Sequence, residues 1–299
     1  MFTGCGTALV TPFRKDLSLD EDALRRLVRR QIDAGIDFLV PCGTTGESPT
    51  LTAAEQRRLV EITIEEARPR KVPVVAGAGG NSTAHVIEMA RAFQSLGADG
   101  ILSVAPYYNK PTQEGLFQHY KAIASAISLP IILYNIPGRT GVNIEPATVA
   151  RLAEIDNIVG VKEASGNISQ MAVVLDLVPE RFLVLSGDDA ITLPLMALGG
   201  RGLISVSSNE IPAEMTRITK LALANDFAAA RAIHRRYSKL MEANFIETNP
   251  GPVKAAMALM GLLEAVFRLP LVAPKPENLE KIRRALEAVG LVQQAYATR

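Results

Sequence analysis

The chain has 299 residues, of which 48% are hydrophobic and 21% charged, and its formal net charge at pH 7 is +1. This composition is typical of a globular protein with ample apolar material for a core. Because the net charge is close to zero and no long charged run is present, we expect neither nucleic acid nor a membrane surface as a partner. The sequence has neither a run of about 18 apolar residues nor a basic segment at its start, so we predict a cytoplasmic protein.

One unit recurs along the chain: a short β-branched run, a polar loop and an amphipathic helical segment. Near-continuous apolar runs of this kind are typical of parallel strands buried on both faces. The predicted strands are residues 7–10, 38–41, 72–76, 100–104, 131–134, 158–162, 182–185 and 202–206. Eight such strands with right-handed crossovers can close a (β/α)8 TIM barrel. The alternative is a doubly wound open sheet, but no dinucleotide-binding glycine motif follows the first strand.

Local signals predict where several helices begin and end. Ser18 with Glu21, and Thr52 with Glu55, have the spacing of capping boxes, in which side chains satisfy the free amides of a helix start. Three glycines follow helical segments, where a left-handed residue commonly ends a helix: Gly35, Gly97 and Gly199.

The strand pattern stops after about residue 225. Residues 226–247, 253–266 and 276–289 are predicted to be helical, with proline-rich breaks between them. We therefore predict a barrel over residues 1–225. A C-terminal helical appendage over residues 226–299 would pack on it and include the helix that closes the eighth unit.

Lys162 is the first candidate for chemistry, because barrel enzymes carry their catalytic residues at the C-terminal ends of the strands. Strand alternation places Ile158, Gly160, Lys162 and Ala164 on one face, and small neighbours suit the crowded barrel interior. A buried amine is costly to charge, and a neutral amine is a nucleophile for carbonyl carbon. The alternative is a structural lysine that reaches solvent or pairs with a carboxylate such as Glu163.

Other strand ends supply polar groups. Tyr134 has the facing of Ile132, and a phenol beside a neutral amine can relay protons. Arg139, on the loop beyond, could bind a carboxylate through two hydrogen bonds. Thr44 and Thr45 lie between glycines after the second strand, where hydroxyls and backbone amides can hold an anion. A core tyrosine, a solvated arginine and a plain turn are the alternatives for these four residues.

No metal and no cofactor are predicted. The three histidines are far apart, in helical context and without zinc-ligand spacing, so we expect them at the surface or as caps: His85, His119 and His234. Asp188 and Asp189 lack an evident partner carboxylate for a divalent ion. Residues 77–81 lack the Lys-Ser/Thr ending of a phosphate-binding loop.

Several spaced motifs, read together, resemble one enzyme family over nearly the whole chain. The motifs are Phe2-Thr3-Gly4, Ala8-Leu9-Val10-Thr11-Pro12-Phe13, Gly43-Thr44-Thr45-Gly46-Glu47, Tyr134-Asn135-Ile136-Pro137-Gly138-Arg139-Thr140-Gly141, Gly160-Val161-Lys162-Glu163, Ser186-Gly187-Asp188-Asp189 and Asn249-Pro250-Gly251-Pro252-Val253-Lys254. They are similar to those of the 4-hydroxy-tetrahydrodipicolinate (dihydrodipicolinate) synthases, within the pyruvate-dependent class I aldolases. The resemblance implies a metal-free condensation of pyruvate with L-aspartate 4-semialdehyde in diaminopimelate and lysine biosynthesis.

The resemblance also implies residue roles. Lys162 would form the imine with pyruvate, and Tyr134 would donate and accept protons. Thr44 and Tyr108 would be relay partners, with Tyr108 reaching across from a neighbouring subunit of a homotetramer built as a dimer of dimers. The implied substrate-binding residues are Thr45 for the pyruvate carboxylate, Ile204 through its backbone, Gly187 at the same barrel end, and Arg139 for the carboxylate of the aldehyde substrate.

Two alternatives stay open at this point. Another pyruvate-dependent aldolase, similar to N-acetylneuraminate lyase or the keto-sugar-acid aldolases, would use the same lysine and tyrosine, although Arg139 favours the synthase. A non-catalytic barrel would require Lys162 to be structural.

Many bacterial synthases are inhibited by lysine at a site between subunits, and the resemblance to that site is partial. Matching residues are Ser48, Asn81 and Tyr107, whereas Ala53, Gln56 and His85 depart from it. The loss of a carboxylate partner for the ligand's ammonium group predicts weak or absent inhibition by lysine.

Overall fold

The computed structural model describes residues 2–293, and within this range eight parallel strands alternate with helices in a (β/α)8 barrel, as predicted. The strands are β1 (Gly4–Ala8), β2 (Phe38–Val40), β3 (Val75–Gly77), β4 (Gly100–Val104), β5 (Ile131–Asn135), β6 (Ile158–Glu163), β7 (Leu183–Ser186) and β8 (Gly202–Ser205). The α-helices are α1 (Glu21–Asp33), α2 (Ala53–Ala67), α3 (Thr83–Leu96), α4 (Gln113–Ala126), α5 (Pro137–Thr140), α6 (Pro146–Ala153), α7 (Ile168–Leu177), α8 (Thr192–Ala197), α9 (Pro212–Leu223), α10 (Phe227–Ala243), α11 (Gly251–Leu259) and α12 (Pro276–Val289).

The barrel closes between β2 and β3. Hydrogen-bonded neighbours follow the order β2-β1-β8-β7-β6-β5-β4-β3, with all pairs parallel. A parallel bridge then joins Leu39 to Val74, and the Leu39 amide donates to the Pro73 carbonyl at 2.9 Å. Closure removes the two sheet edges that an open sheet would leave unpaired.

Alternating side chains divide the apolar residues into two layers. Ile132 and Tyr134 of β5 belong to a core inside the barrel with Leu185 and Ile204, as the strand parity predicted. Ile131 and Leu133 belong to the larger core between the strands and the surrounding helices. The C-terminal ends of the strands therefore present a small inner set of side chains to any ligand.

The facing predicted for Ile158 is wrong. Ile131 pairs with Ile158 but Ile132 pairs with Gly160, so the register shifts by one residue at Val159. As a result Ile158 packs in the outer core beside Val161 instead of sharing the inner face with Lys162. A strand bulge changes side-chain parity without leaving a local sequence signal.

The first strand lies earlier in the sequence than predicted. It spans Gly4–Ala8 and not residues 7–10, because its two glycines pair with β2 and β8 despite their low strand propensity. The amide of Val10 is held instead by the Asn209 side chain at 3.2 Å.

Four of the five predicted local signals for helix ends are confirmed. Thr52 and Glu55 form the predicted capping box of α2, and the three predicted glycines all have positive φ. The capping box predicted for Ser18 and Glu21 is wrong. Asp20 caps α1 by accepting from the Ala23 amide at 2.9 Å, while the Ser18 hydroxyl donates to Asp16.

The C-terminal helices pack on the barrel. α10 contacts α8, α9 and α12, and α11 contacts α12. α12 has its predicted bounds, whereas α11 ends at Leu259 because the chain turns at Gly261, which has φ +74°. The division at residue 225 stays a prediction, and its last residues, 294–299, lie outside the described range. Among the described helices, none is long and apolar enough to cross a membrane.

Candidate active site

Lys162 lies on β6 inside the barrel, with a side chain that is almost fully buried. Its Nζ is 4.3 Å from the centroid of the Tyr134 ring. Burial lowers the pKa of Lys162 to about 8, with the Asp189 carboxylate opposing that shift and the Arg139 guanidinium adding to it. About a tenth of the amine is therefore neutral at pH 7, far more than for a lysine with the ordinary pKa, and is able to attack a carbonyl group.

The Glu163 carboxylate does not pair with Lys162. It points to the opposite face of β6, where it accepts from Asn135 Nδ2 at 3.0 Å and from the Ser165 amide at 2.7 Å. Asn135 Oδ1 in turn accepts from the Ile144 amide at 2.9 Å. This buried network joins the residues that directly follow Tyr134 and Lys162, so it fixes the two strand ends relative to each other.

Tyr134 lies beside Lys162. The two residues are register partners across β5 and β6. Burial raises the pKa of Tyr134 to about 12, although Arg139 and a hydrogen bond with the Thr44 side chain act in the opposite direction. The phenol thus keeps its proton at neutral pH and can donate it to an atom that develops negative charge.

Thr45 and Arg139 are joined through a residue that the sequence pattern did not single out. Thr45 is buried and its hydroxyl accepts from Asn249 Nδ2 at 3.1 Å. Arg139 Nη2 donates to the Asn249 carbonyl at 3.0 Å. Asn249 belongs to a motif that the sequence analysis treated as a break between helices, and only its place in the family motif signalled a role.

Gly187 is required by the space around Lys162. A Cβ at this position would lie 2.6 Å from the Ala164 Cβ and 3.1 Å from the Lys162 Cε. Ile204 is fully buried on β8, in the same inner core as Tyr134. The backbone at Gly187 therefore approaches the Lys162 side chain more closely than any residue larger than glycine at position 187 would permit.

Asp189 was considered in the sequence only as a possible metal ligand. Its buried carboxylate instead accepts from the Ser205 hydroxyl at 2.5 Å and from the amides of Val206 and Ser207 at 3.1 and 3.0 Å. It therefore ties the loop after β7 to the end of β8. Within residues 2–293, no three His, Cys, Asp or Glu side chains are grouped to hold a metal ion.

A cavity of about 450 Å³ opens at this end of the barrel. Its walls include Thr44, Tyr134, Arg139, Ser48, Asn81 and Tyr107. Lys162 is not among the residues that line this cavity, and Tyr108 does not join the site within a single chain because 88% of it is exposed. Tyr108 has φ +71°, a backbone conformation that is uncommon for a residue with a side chain.

One histidine differs from its predicted environment. His119 is buried, its Nδ1 lies 2.9 Å from the Thr83 hydroxyl, and burial lowers its pKa to about 4. Its expected position at the surface or as a cap is therefore wrong. His85 lines the cavity described above, and the His234 Nε2 lies 3.1 Å from the Ala190 carbonyl.

A TIM barrel that holds a buried, partly neutral lysine beside a tyrosine at the C-terminal ends of its strands is a class I, Schiff-base-forming aldolase. A sequence model of the dihydrodipicolinate synthetase family matches residues 1–289, and the chain belongs to this family.

Individual relatives agree with the family assignment. The chain is 54% identical to a 4-hydroxy-tetrahydrodipicolinate synthase from Koribacter versatilis (strain Ellin345), over 98% of this chain and 97% of the relative. The crystal structure of dihydrodipicolinate synthase from Aquifex aeolicus superposes with a TM-score of 0.95 at 44% identity, covering 98% of this chain and all of that one. The crystal structure of the enzyme from Acinetobacter baumannii in complex with pyruvate superposes with a TM-score of 0.96 at 43% identity, with the same coverage of both chains.

Proposed function

We propose that this chain catalyses the condensation of pyruvate with L-aspartate 4-semialdehyde to 4-hydroxy-tetrahydrodipicolinate, a step of diaminopimelate and lysine biosynthesis in the cytoplasm. The observation that carries the proposal is the buried Lys162 amine, with its lowered pKa, next to the Tyr134 phenol. The relative solved with pyruvate supports the first substrate, and the names of the curated relatives support the product.

The neutral Lys162 amine attacks the keto carbon of pyruvate, and water leaves as the imine forms. Loss of a methyl proton gives an enamine, whose carbon attacks the aldehyde carbon of the second substrate. The amine of that substrate then attacks the imine carbon, which closes the ring and releases Lys162. In these reaction steps the imine accepts the electron pair. The active-site residues therefore mainly transfer protons and bind the substrate carboxylates.

Tyr134 is suited to the proton transfers because its raised pKa keeps it protonated between steps. Thr44 would connect it to Tyr108 of a neighbouring subunit, in a homotetramer built as a dimer of dimers. The exposure of Tyr108 in a single chain is consistent with that contribution.

The two substrates each carry a carboxylate, and separate groups would hold them. Thr45 would bind the carboxylate of pyruvate, with the Ile204 backbone and Gly187 lining the same end of the barrel. Arg139 would bind the carboxylate of the aldehyde at the cavity mouth, where its guanidinium can offer two parallel hydrogen bonds. An aldehyde without a carboxylate would lose this contact, which is the basis of the proposed selectivity.

Turnover with different aldehydes tests the proposal. Pyruvate is supplied with L-aspartate 4-semialdehyde through a coupled NADPH-dependent reductase, and in parallel with N-acetylmannosamine or glyceraldehyde while pyruvate consumption is followed. Fast turnover with the semialdehyde alone is expected. Consumption with a sugar aldehyde alone would preserve the Lys162 chemistry but contradict the proposed substrate.

Borohydride trapping tests the lysine itself. Reduction in the presence of pyruvate is expected to leave a covalent adduct on Lys162, found by mass spectrometry of the digested protein. The variant Lys162→Ala should fold but lose both the adduct and nearly all turnover. A wild-type protein that stays unmodified would instead support a non-catalytic barrel.

Lysine is expected to inhibit this enzyme weakly or not at all. Ser48, Asn81 and Tyr107 line the cavity, but His85 and Gln56 stand beside them where sensitive relatives carry other groups. Among residues 2–293, no carboxylate lines this cavity, so a bound ammonium group would lack an ionic partner there. Initial rates with increasing lysine measure the effect, and strong inhibition at sub-millimolar lysine contradicts the expectation.

A further inference from the structure

Asn249 lies between the residues proposed to hold the two substrate carboxylates. Its side chain donates to the Thr45 hydroxyl at 3.1 Å, and its backbone carbonyl accepts from Arg139 at 3.0 Å. Thr45 and Asn249 are 204 residues apart in the chain, and both are buried. The contact therefore links the loop after β2 to the segment that leads into α11.

In its hydrogen bond with Asn249, the Thr45 hydroxyl is the acceptor, which leaves its own proton available. The Nδ2 of an asparagine only donates, so the Thr45 oxygen acts as the acceptor, and the single proton of the hydroxyl is not used. Within residues 2–293, the Thr45 hydroxyl donates a hydrogen bond to no group. Its proton is therefore free to point at a ligand carboxylate, an acceptor for which a hydroxyl donor is well suited.

The segment that carries Asn249 is firmly held. Lys254, on α11, forms a buried ion pair with Glu47 at 2.5 Å, and Glu47 follows Thr45 by two residues. Among the described residues, the Asn249 Oδ1 has no hydrogen-bond partner, so the Thr45 hydroxyl is the one side-chain group to which the amide is hydrogen-bonded. The amide is thus placed by its backbone and in turn fixes the hydroxyl.

We propose that Asn249 is a positioning residue that fixes the Thr45 hydroxyl as a donor toward the carboxylate of pyruvate. The inference rests on the proposed function, because it takes Thr45 as the pyruvate-binding residue. The Asn249 backbone separately supports Arg139, so removing the side chain alters the pyruvate site and leaves the aldehyde site intact.

Steady-state kinetics of Asn249→Ala test the proposal. The KM for pyruvate should rise roughly 2- to 13-fold, the effect of one hydrogen bond of ~0.5–1.5 kcal/mol. The KM for the aldehyde should change little, because the carbonyl that holds Arg139 remains. Equal increases in both KM values would overturn the proposal, since a general loosening of the segment would disturb both carboxylate sites.

A double-mutant cycle shows whether Asn249 acts through Thr45. Thr45→Val removes the hydroxyl, so adding Asn249→Ala to that variant should change the KM for pyruvate by less than about twofold. The same loss in both backgrounds would contradict the proposal. Asn157→Ala is the matched control, because the Asn157 side-chain amide also acts as a partly buried donor, to the carbonyls of Ala124 and Ile127, but precedes β6 at the opposite end of the barrel. It should leave both KM values unchanged.

The variant Asn249→Asp separates polarity from packing. An ionised aspartate has nearly the same shape but can only accept hydrogen bonds. It would therefore accept a hydrogen bond from the Thr45 hydroxyl and would repel the substrate carboxylate. We expect Asp to be worse than Ala at this position, whereas a packing role predicts the reverse. Thermal unfolding of each variant verifies the fold. Borohydride trapping of pyruvate on wild-type Lys162 tests the proposed function separately, because it does not depend on Asn249.

Discussion

In the proposed mechanism the Lys162 amine must be neutral to attack pyruvate, so its pKa sets a pH dependence at the scale of one residue. With a pKa of about 8, the neutral fraction rises about tenfold per pH unit below that value and levels off above it. We expect kcat/KM for pyruvate to follow this curve. Tyr134, with a pKa of about 12, should not titrate in the same range. Initial rates on both sides of pH 8 provide the measurement, and circular dichroism is the control for folding. A kcat/KM that does not change with pH would contradict the role of the Lys162 amine.

The same pKa shift has a cost in stability. Because the folded-state pKa is below the ordinary value of 10.5, the unfolded chain binds the proton more tightly and folding is disfavoured at low pH. Lys162→Met should therefore unfold at higher temperature near neutral pH, with a gain of about 2–4 kcal/mol from a shift worth ~1.4 kcal/mol per pKa unit. The gain should shrink as pH rises from 8 toward 10.5. Denaturant unfolding at several pH values measures it, and a gain that is independent of pH argues against the shift.

At the scale of elements, a buried ion pair fastens α11 to the loop after β2. Lys254 and Glu47 are both fully buried, and Lys254 also donates to the Val266 carbonyl at 2.7 Å. Lys254→Met would leave the Glu47 carboxylate buried without its cation, and we expect a loss of about 3–5 kcal/mol in the free energy of unfolding. Turnover should fall as well, because the same loop carries Thr44 and Thr45.

An exposed pair supplies the control for this prediction. Lys239 and Glu242 lie 2.8 Å apart on the surface of α10, and Lys239→Met should change the free energy of unfolding by less than about 1 kcal/mol. Combining Lys254→Met with Glu47→Gln should recover part of the loss, because a neutral amide costs less to bury than a charge. Chemical denaturation of the four proteins compares them. Equal effects at the buried and the exposed pair would contradict the role given to Lys254.

At the scale of the whole molecule, the proposed contribution of Tyr108 from a second subunit can be tested by mixing variants. A subunit with Tyr108→Phe retains Lys162, and a subunit with Lys162→Ala retains Tyr108. A mixed dimer would therefore hold one intact site, and we expect co-refolded mixtures to be more active than either parent.

Mixtures of Tyr134→Phe with Lys162→Ala are the control for this experiment. These two residues pair across β5 and β6 of one barrel, so no mixed dimer can regain both in one site. Activity should not recover in that mixture. If mixed oligomers form but neither mixture gains activity, Tyr108 does not act across subunits.

The sequence alone determined the barrel and identified the two residues that we propose as the main catalytic pair. Strands buried on both faces leave continuous apolar runs, so β4 (Gly100–Val104) was predicted with its observed bounds. The end signals of α12 are also local, since Pro276 starts it and Gly290 follows it with positive φ. Strand parity was enough to place Lys162 and Tyr134 inside the barrel. A buried amine beside a phenol then suggested imine chemistry.

Only the tertiary structure decided which distant residues support that pair. The register shift at Val159 changed the facing of Ile158, and the contacts of Asn249 with Thr45 and of Lys254 with Glu47 span more than 200 residues. Such partners are chosen when the barrel closes and the C-terminal helices pack against the loop after β2. A sequence pattern of period two or 3.6 reports which face of an element is buried, but it carries no information on the element that covers that face.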